Sequence, residues 1–186
     1  TEEWAIQSLF GRVNYALKDR YLFEASVRYD GSSRLKKENR WGVFPSVSAG
    51  WRISEENFVQ SVDWMNNLKL RGSWGKLGND NIGNYPWQDL LGLTYYSFST
   101  YSQGVEKTNM SNQDIAWEET TSVDLGLDFS FFKNRLHGKI DWFYRRTSSI
   151  LRKNLVPAYT GMEGPTVNEG EMKNTGFEFL LGHENT

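Results

Sequence analysis

The chain of 186 residues contains no cysteine and only two histidines, His137 and His183. Disulfide bonds, thiolate catalysis and cysteine-based zinc sites are therefore excluded. The two histidines stand too far apart in the sequence to indicate a local metal-binding pair. The motifs G-x-S-x-G and H-E-x-x-H and the phosphate-binding P-loop are also missing. We therefore predict no catalytic residue, no metal site and no cofactor, and an enzyme is the least favoured class.

Neither sign of charge dominates the sequence, since 21 Lys and Arg stand against 23 Asp and Glu. Nucleic-acid-binding domains usually carry a basic stripe, so no nucleic-acid partner is expected. No run approaches the 18 or more apolar residues that a membrane-spanning helix needs. The mean hydropathy is low, at −0.62. A membrane β-barrel is still compatible with this value, because its lipid-facing and lumen-facing side chains alternate and average out.

Apolar and polar residues alternate with a period of two along most of the chain, which predicts β-strands. The alternating runs are residues 9–17, 21–30, 40–51, 68–74, 121–131, 136–145 and 177–181. Most of these strands are near ten residues long, which exceeds the usual 5–6 residues of globular strands. Residues 54–67 have mixed spacing and predict a short helix or an irregular turn. The predicted fold class is therefore all-β, with about seven long antiparallel strands.

The connections between these runs alternate in length. They are short at 18–20, long at 31–40, medium at 54–66, very long at 78–117, short at 133–135 and long at 147–165. Antiparallel strands that cross an outer membrane show this pattern, with short periplasmic turns and long extracellular loops. A soluble sandwich has no reason to sort its loops in this way. The pattern predicts a segment of a transmembrane β-barrel with long extracellular loops.

Pairs of aromatic residues bracket two of the predicted strands. Trp41 and Trp51 lie ten residues apart on one face, which is roughly 33 Å along a strand. With a strand tilt near 40°, this distance projects to about 25 Å, the height of the apolar band between the aromatic girdles of a barrel. Tyr21 and Tyr29 bracket the preceding strand similarly. We predict that all four belong to membrane girdles, and two core tryptophans of a soluble sheet are the alternative.

The opposite face of the predicted strands is polar, as the lumen of a barrel is. Its members are Arg12, Glu24, Arg28, Arg71, Asp124, Asp128, Asp141 and Arg145. These residues predict a water-filled or plugged transport path, with cross-strand ion pairs between neighbouring strands. A solvated sheet face or purely structural ion pairs would give the same pattern.

One proline interrupts the strand predicted for residues 40–51. The expected lipid-facing residues there are Val43, Val47 and Ala49, and the expected lumen-facing residues are Ser46 and Ser48. Pro45 cannot donate a hydrogen bond to a neighbouring strand. We therefore predict a β-bulge or locally unpaired backbone at Pro45.

Several longer blocks together resemble SusC/RagA-type TonB-linked outer-membrane transporters. The most specific are "RYDGSSR" followed by "NRWGVFPSVSAGWRIS", and "WEETTSVDLGLDFSFFKNR". They occur in the order seen in that family, and with the smaller blocks they cover nearly the whole chain. The resemblance implies a 22-stranded barrel with a plugged lumen, of which residues 1–186 would form part of one barrel domain without the plug.

The resemblance also implies a function and a location. Such proteins lie in the outer membrane of Gram-negative bacteria and import glycan oligosaccharides or peptides. They use energy from the TonB complex, and a SusD-like lipoprotein closes their extracellular mouth. We expect glycan import first, with partners that also include outer-membrane lipid.

The long connection at 78–117 is rich in aromatic residues, namely Tyr85, Trp87, Tyr95, Tyr96, Phe98 and Tyr101. Such side chains can stack on sugar rings, pack on the lipoprotein partner or fold the loop on itself. The candidates for substrate binding are Tyr85, Trp87, Tyr95, Tyr96 and Tyr101.

Two other functions compete with this prediction. A soluble, secreted β-sandwich that binds carbohydrate through surface aromatics is disfavoured by the sorted loop lengths and the girdle spacing. A siderophore or cobalamin receptor of the same general architecture is disfavoured by the family blocks.

Overall fold

The computed structural model describes residues 3–59, 61–97 and 100–185, so Phe98 lies outside the described residues. Its main feature is a seven-stranded antiparallel sheet of order β1-β2-β3-β4-β7-β8-β11. These strands are β1 (Ile6–Leu17), β2 (Tyr21–Ser32), β3 (Trp41–Arg52), β4 (Met65–Asn79), β7 (Glu118–Phe131), β8 (Leu136–Ser148) and β11 (Glu171–His183). The prediction of seven long antiparallel strands is confirmed.

Among the described residues, four shorter strands lie outside this sheet. β5 (Leu91–Ser97) pairs with β6 (Tyr101–Lys107), and β9 (Leu151–Lys153) pairs with β10 (Thr166–Asn168). The very long connection predicted at 78–117 therefore contains a β-hairpin, which was not predicted from the sequence. Between β3 and β4, the described residues form a three-residue 3₁₀ turn, Ile53–Glu55, followed by further turns such as the one closed from Val59 N–H to Glu56 O, in line with the predicted irregular turn. No helix among the described residues is long and apolar enough to cross a membrane.

The connections alternate between the two ends of the sheet, and the two longest lie at the same end, although 53–64 with 12 residues is longer than 33–40 with 8 residues. At one end lie the connections at 18–20, 53–64 and 132–135, and at the other those at 33–40, 80–117 and 149–170. The turn at 18–20 is tight because Lys18 and Asp19 both have φ of 52°, which matches the twist of two paired strands. We call the two ends the short-connection end and the long-connection end.

Exposure alternates along β3 in step with the sequence. Trp41, Val43 and Val47 are exposed, whereas Ser46 and Ser48 are half-buried. The face that carries Trp41 is called the aromatic face below, and the face that carries Ser46 and Ser48 is called the polar face. The pairing between strands continues this division across the sheet, since partners opposite each other share a face.

Phe44 breaks the alternation because it is the largest apolar residue on the polar face of β3. Its side chain is only 5% exposed and packs with Leu35, Ile115 and Trp117 in a small core. The rings of Phe44 and Trp117 meet edge to face at 5.4 Å. The 33–40 and 80–117 connections therefore pack together over the end of β3.

The backbone around Pro45 is paired on one side only. Val27 of β2 stands opposite Pro45 without a register shift. The ladder between β3 and β4 begins at Ser46, so Pro45 and the residues before it have no partner in β4. The predicted unpaired backbone occurs on the β4 side, where the missing N–H of proline costs no ladder hydrogen bond.

Candidate functional site

The polar face carries an ion-pair network that spans three strands. Arg71 of β4 donates from Nε to Asp128 Oδ1 of β7 at 3.3 Å, and its terminal nitrogen Nη2 donates to Asp141 of β8. The guanidinium reaches β8 by lying over Gly126, where a Cβ would stand 2.5 Å from Arg71 Cζ. Glycine at position 126 is therefore needed for this close approach. The network links β4, β7 and β8 near the middle of the sheet by charge-assisted hydrogen bonds.

The other predicted polar-face residues form weaker interactions. Arg28 pairs with Asp30 on its own strand at 3.1 Å, and Arg12 lies 3.7 Å from Glu24. Within the described part of the chain, Asp124 forms no ion pair, and its closest polar partner is Ser73 Oγ at 3.5 Å. Arg145 lies over the ring of Phe143, with 5.6 Å between Cζ and the ring centroid. These residues leave hydrogen-bonding capacity directed toward the space above the polar face.

A hollow of about 480 Å³ lies on the polar face between β1 and β7. Small residues line it, including Ser48, Gly50 and Ser73, and charged residues border it. The charged residues are Glu24, Lys69, Arg71 and Asp124. This volume is within the range of small-molecule sites. The lining supplies hydroxyl, carboxylate and cationic groups that can hydrogen-bond to a polar solute.

No metal centre is formed where the structure describes the chain. Over residues 3–59, 61–97 and 100–185, no group of three or more His, Asp or Glu side chains is arranged to hold a metal ion.

The four predicted girdle residues form two stacked pairs, one near each end of β2 and β3. Tyr29 and Trp41 stack with ring centroids 4.6 Å apart, and Tyr21 and Trp51 stack with centroids 6.5 Å apart. All four side chains are on the aromatic face and exposed. Their assignment to membrane interfaces stays a prediction.

The carboxylate that holds the aromatic pair at the short-connection end was not predicted from the sequence. Glu56 accepts a hydrogen bond from Tyr21 Oη at 2.6 Å and another from Trp51 Nε1 at 3.0 Å. Its second oxygen accepts from Arg20 at 3.3 Å. The hydrogen bond from Tyr21, then that from Trp51, hold the pKa of Glu56 below its ordinary value of 4.5. Glu56 thereby fixes two ring orientations with one ionised group.

Replacement of Glu56 by glutamine is expected to lower the melting temperature of the complete barrel at neutral pH. The pKa of Glu56 is lowered by folding, so its stabilisation is present above pH 4.5 and is lost as the pH falls through the lowered pKa. The difference in melting temperature between wild type and Glu56→Gln should therefore shrink as the pH falls below 4.5. Melting curves of the detergent-solubilised protein between pH 3 and 7 measure this difference. A gap that stayed constant over that range would contradict the ionised role.

The predicted substrate-binding aromatics divide into two groups. Tyr85 is half-buried and donates its hydroxyl to the carbonyl oxygen of Glu3, and Trp87 packs against the Phe44 core. Tyr95 and Tyr101 are 67% and 82% exposed on the β5–β6 hairpin. Tyr96 lies on the other face of this hairpin, over Gly104. The structure therefore does not bring the five residues together at one site.

A polar cluster ties the long-connection end together. Ser32 is fully buried and donates to Asp80 at 2.6 Å, while Arg34 donates to Asn84 at 3.2 Å. Arg34 also covers the ring of Trp4 at 4.0 Å. These residues hold the 33–40 connection to the 80–117 connection and give this end a defined shape.

The family model described as "TonB dependent receptor-like, beta-barrel" matches residues 1–184. The TonB-dependent receptor SusC of Bacteroides thetaiotaomicron is 41% identical over 94% of the chain and 18% of its own length. The solved RagAB peptide transporter superposes with a TM-score of 0.86 and 34% identity, over 96% of this chain and 20% of that one. The siderophore receptor PirA from Acinetobacter baumannii shares the fold alone, with a TM-score of 0.65, 16% identity and coverage of 97% of this chain and 26% of its own. The chain therefore spans about a fifth of the length of its matched relatives.

Proposed function

The chain belongs to the TonB-dependent receptor β-barrel family, and from this membership we propose that the complete protein is a TonB-energised importer of oligosaccharides or peptides. Receptors of the SusC/RagA type are outer-membrane β-barrel proteins of Gram-negative bacteria, and this chain is a wall segment of such a barrel. We place residues 1–186 within one barrel domain whose plug lies elsewhere in the protein. A SusD-like lipoprotein acts with it at the extracellular mouth.

The observation that carries this proposal is the 41% identity to SusC over 94% of the chain. The match to the RagAB peptide transporter at 34% identity supports a peptide as the second substrate class. The siderophore receptor is less similar, at 16% identity, and supports no function beyond the shared fold. An import role without covalent chemistry also accords with a family of receptors and transporters.

The polar face supports oligosaccharides as the first substrate class. The hollow over Ser48 and Ser73 offers hydroxyl groups next to the carboxylates of Glu24 and Asp124. Such groups pair well with the many hydroxyls of a sugar, each of which both donates and accepts. The role of Tyr85, Trp87, Tyr95, Tyr96 and Tyr101 as substrate contacts stays a prediction.

Deletion of the complete transporter gene in its source bacterium tests the function. We expect loss of growth on one class of oligosaccharide as the sole carbon source, and restoration by the full-length gene. Uptake of a fluorescent derivative of that oligosaccharide should stop when the proton-motive force is dissipated. Unchanged growth on every oligosaccharide and peptide mixture, together with a loss of siderophore-dependent iron uptake, would overturn the proposal.

A further inference from the structure

The aromatic face of four neighbouring strands ends in a row of cations at the long-connection end. The register aligns this row across β4, β7, β8 and β11 as Lys76, Thr121, Arg146 and Lys173. The row belongs to the aromatic face because Trp74, two residues before Lys76, stands opposite Val47 of β3. Three of its four members are cations, and neighbouring strands lie about 4.8 Å apart. We call Lys76, Arg146 and Lys173 the cation row.

Aromatic side chains indicate the depth of the cation row in the membrane. Trp74 comes two residues before Lys76 on β4, and Tyr144 comes two residues before Arg146 on β8, so each pair shares the aromatic face. Trp and Tyr are enriched where hydrocarbon meets the headgroups. Nearer the short-connection end this face is apolar, with Leu70, Leu125, Leu127, Ile140, Phe177 and Phe179. This order predicts that the cation row lies just outside the apolar band, at the level of lipid headgroups.

The rest of a closed barrel does not cover this face. Side chains alternate between the outside and the interior along every strand of a barrel, and the apolar band is on the outside. Further strands of the complete barrel extend the sheet beside its two edges, β1 and β11. They therefore add no layer over the aromatic face, and the cation row stays on the outer wall.

Two carboxylates pair with the cation row from the side away from the apolar band. Glu119 accepts from Lys76 Nζ at 3.0 Å, and Glu171 lies 2.7 Å from Arg146 Nη2 and 2.8 Å from Lys173 Nζ. Each glutamate stands one row further from the apolar band than the cations do. Ion pairs that only joined the strands would serve in either order. The observed order leaves the positive charges nearest to the lipid.

The cation row keeps hydrogen-bond donors for another ligand. A lysine has three N–H donors and an arginine has five, and in the described part of the chain each cation has a single glutamate partner. Their side chains are partly exposed, by 36% for Lys76, 50% for Arg146 and 58% for Lys173. Ammonium and guanidinium groups bind phosphate oxygens through charge-assisted hydrogen bonds. The row therefore suits a phosphate group that approaches from the side of the lipid.

The opposite end of the same four strands carries a different row. Its members on the aromatic face are Met65, Phe131, Leu136 and His183, none of which is lysine or arginine. Cations that only ended an apolar band, with their stems on hydrocarbon and their charges in water, would suit both ends equally. The asymmetry indicates that the cation row matches the headgroups of one leaflet.

We propose that Lys76, Arg146 and Lys173 bind the phosphate group of a lipid in the outer leaflet of the outer membrane. The long-connection end faces the outside of the cell in barrels of this kind, which selects that leaflet. The acyl chains of the lipid lie along the apolar band next to the row. This inference goes beyond the proposed function, because it assigns a lipid site on the outer wall and does not depend on the imported substrate.

Neutralisation of two cations that stand opposite each other tests the site in the complete transporter. The variant Arg146→Gln with Lys173→Gln removes two positive charges from the row. The matched control is Arg152→Gln with Lys153→Gln, which removes two cations of β9 that are also paired with glutamates. Heat-dependent gel migration verifies that each barrel has folded. The probe is monophosphoryl lipid A, and the comparison lipid is digalactosyldiacylglycerol, which has no phosphate. Native mass spectrometry of the detergent-solubilised proteins measures the binding of each lipid.

A basic residue near an anionic lipid surface contributes about fivefold to binding, so we expect the Arg146/Lys173 variant to bind monophosphoryl lipid A roughly tenfold more weakly. The β9 control should change by less than about twofold, and Lys76→Gln should lose about threefold. Binding of the comparison lipid should be the same in all variants.

Three results would overturn the lipid site. The first is undiminished binding of monophosphoryl lipid A by both the Arg146/Lys173 variant and Lys76→Gln. The second is an equal loss of both lipids, because the phosphate would then not be what the row recognises. The third is inorganic phosphate that displaces the lipid at the concentration at which the lipid itself binds, since the row would then be a site for a free anion.

Discussion

Arginine in place of Val47 is expected to cost about 2–4 kcal/mol of the free energy of unfolding of the complete barrel. Val47 lies on the aromatic face of β3, midway between the levels of Trp41 and Trp51, and is 41% exposed. Its cross-strand neighbours are Ala25 and Trp74, neither of which carries a carboxylate that could form an ion pair with the arginine. The girdle prediction places this position against hydrocarbon, where a charged side chain is most costly at mid-depth.

Ser48 supplies a control one residue away on the opposite face. Arginine at position 48 would stand between Glu24 and Ser73 in the polar hollow and is expected to change stability by less than about 1 kcal/mol. Urea-induced unfolding in phospholipid vesicles measures both variants. Equal losses of unfolding free energy for the two substitutions would mean that the two faces of β3 do not meet lipid and lumen. The assignment of Trp41 and Trp51 to membrane girdles would then also be wrong.

The long strands could be predicted from the sequence because a half-buried strand repeats its pattern every two residues. In β3 the exposure of Trp41, Val43 and Val47 follows this pattern directly. The β5–β6 hairpin was missed although Leu91, Leu93 and Tyr95 also alternate, because the residues around them are rich in Gly, Asn and Ser. These turn-forming residues next to a short strand favoured the prediction of a loop over that of a strand.

The polar face could be predicted as a set of residues but not as a network. The sequence placed Arg71, Asp128 and Asp141 on one face. Their contact depends on the register of β4, β7 and β8, which no local pattern specifies. Glu56 could not be predicted at all, since it lies in an irregular connection and reaches Tyr21 and Trp51 only after the sheet has formed.

The packing of the apolar residue Phe44 also could not be predicted from the sequence. This residue interrupted the alternation of β3 without a reason visible in the sequence, because its partners come from distant connections. Leu35 and Ile115 are fully buried around it, and Trp117 donates from Nε1 to the carbonyl oxygen of Arg40 at 3.0 Å. The position of this tryptophan directly before β7 explains its role, since it closes the 80–117 connection onto the start of β3.

Removal of the Phe44 ring is expected to cost about 3–5 kcal/mol, because the cavity left by Phe44→Ala cannot be filled from a core of so few side chains. The ring lies so close over Gly78 that a Cβ at that position would overlap it. Loss of the ring would therefore also release β4 from the end of β3, where no ladder hydrogen bonds join the two strands. The barrel sheet itself is expected to persist, since Phe44 stands beyond the β3–β4 ladder.

Limited proteolysis of whole cells that produce the full-length transporter can locate this effect. Cleavage in the 33–40 and 110–117 segments should increase at least tenfold in Phe44→Ala, while heat-dependent gel migration of the barrel stays that of the wild type. Phe58→Ala serves as the matched control, because Phe58 is 68% exposed in the connection at the opposite end of the sheet. If both segments stayed protected in Phe44→Ala, the core around this residue would not be what holds the long connections together. Increased cleavage limited to those segments would show that the long-connection end is stabilised by its own small core and not by the barrel alone.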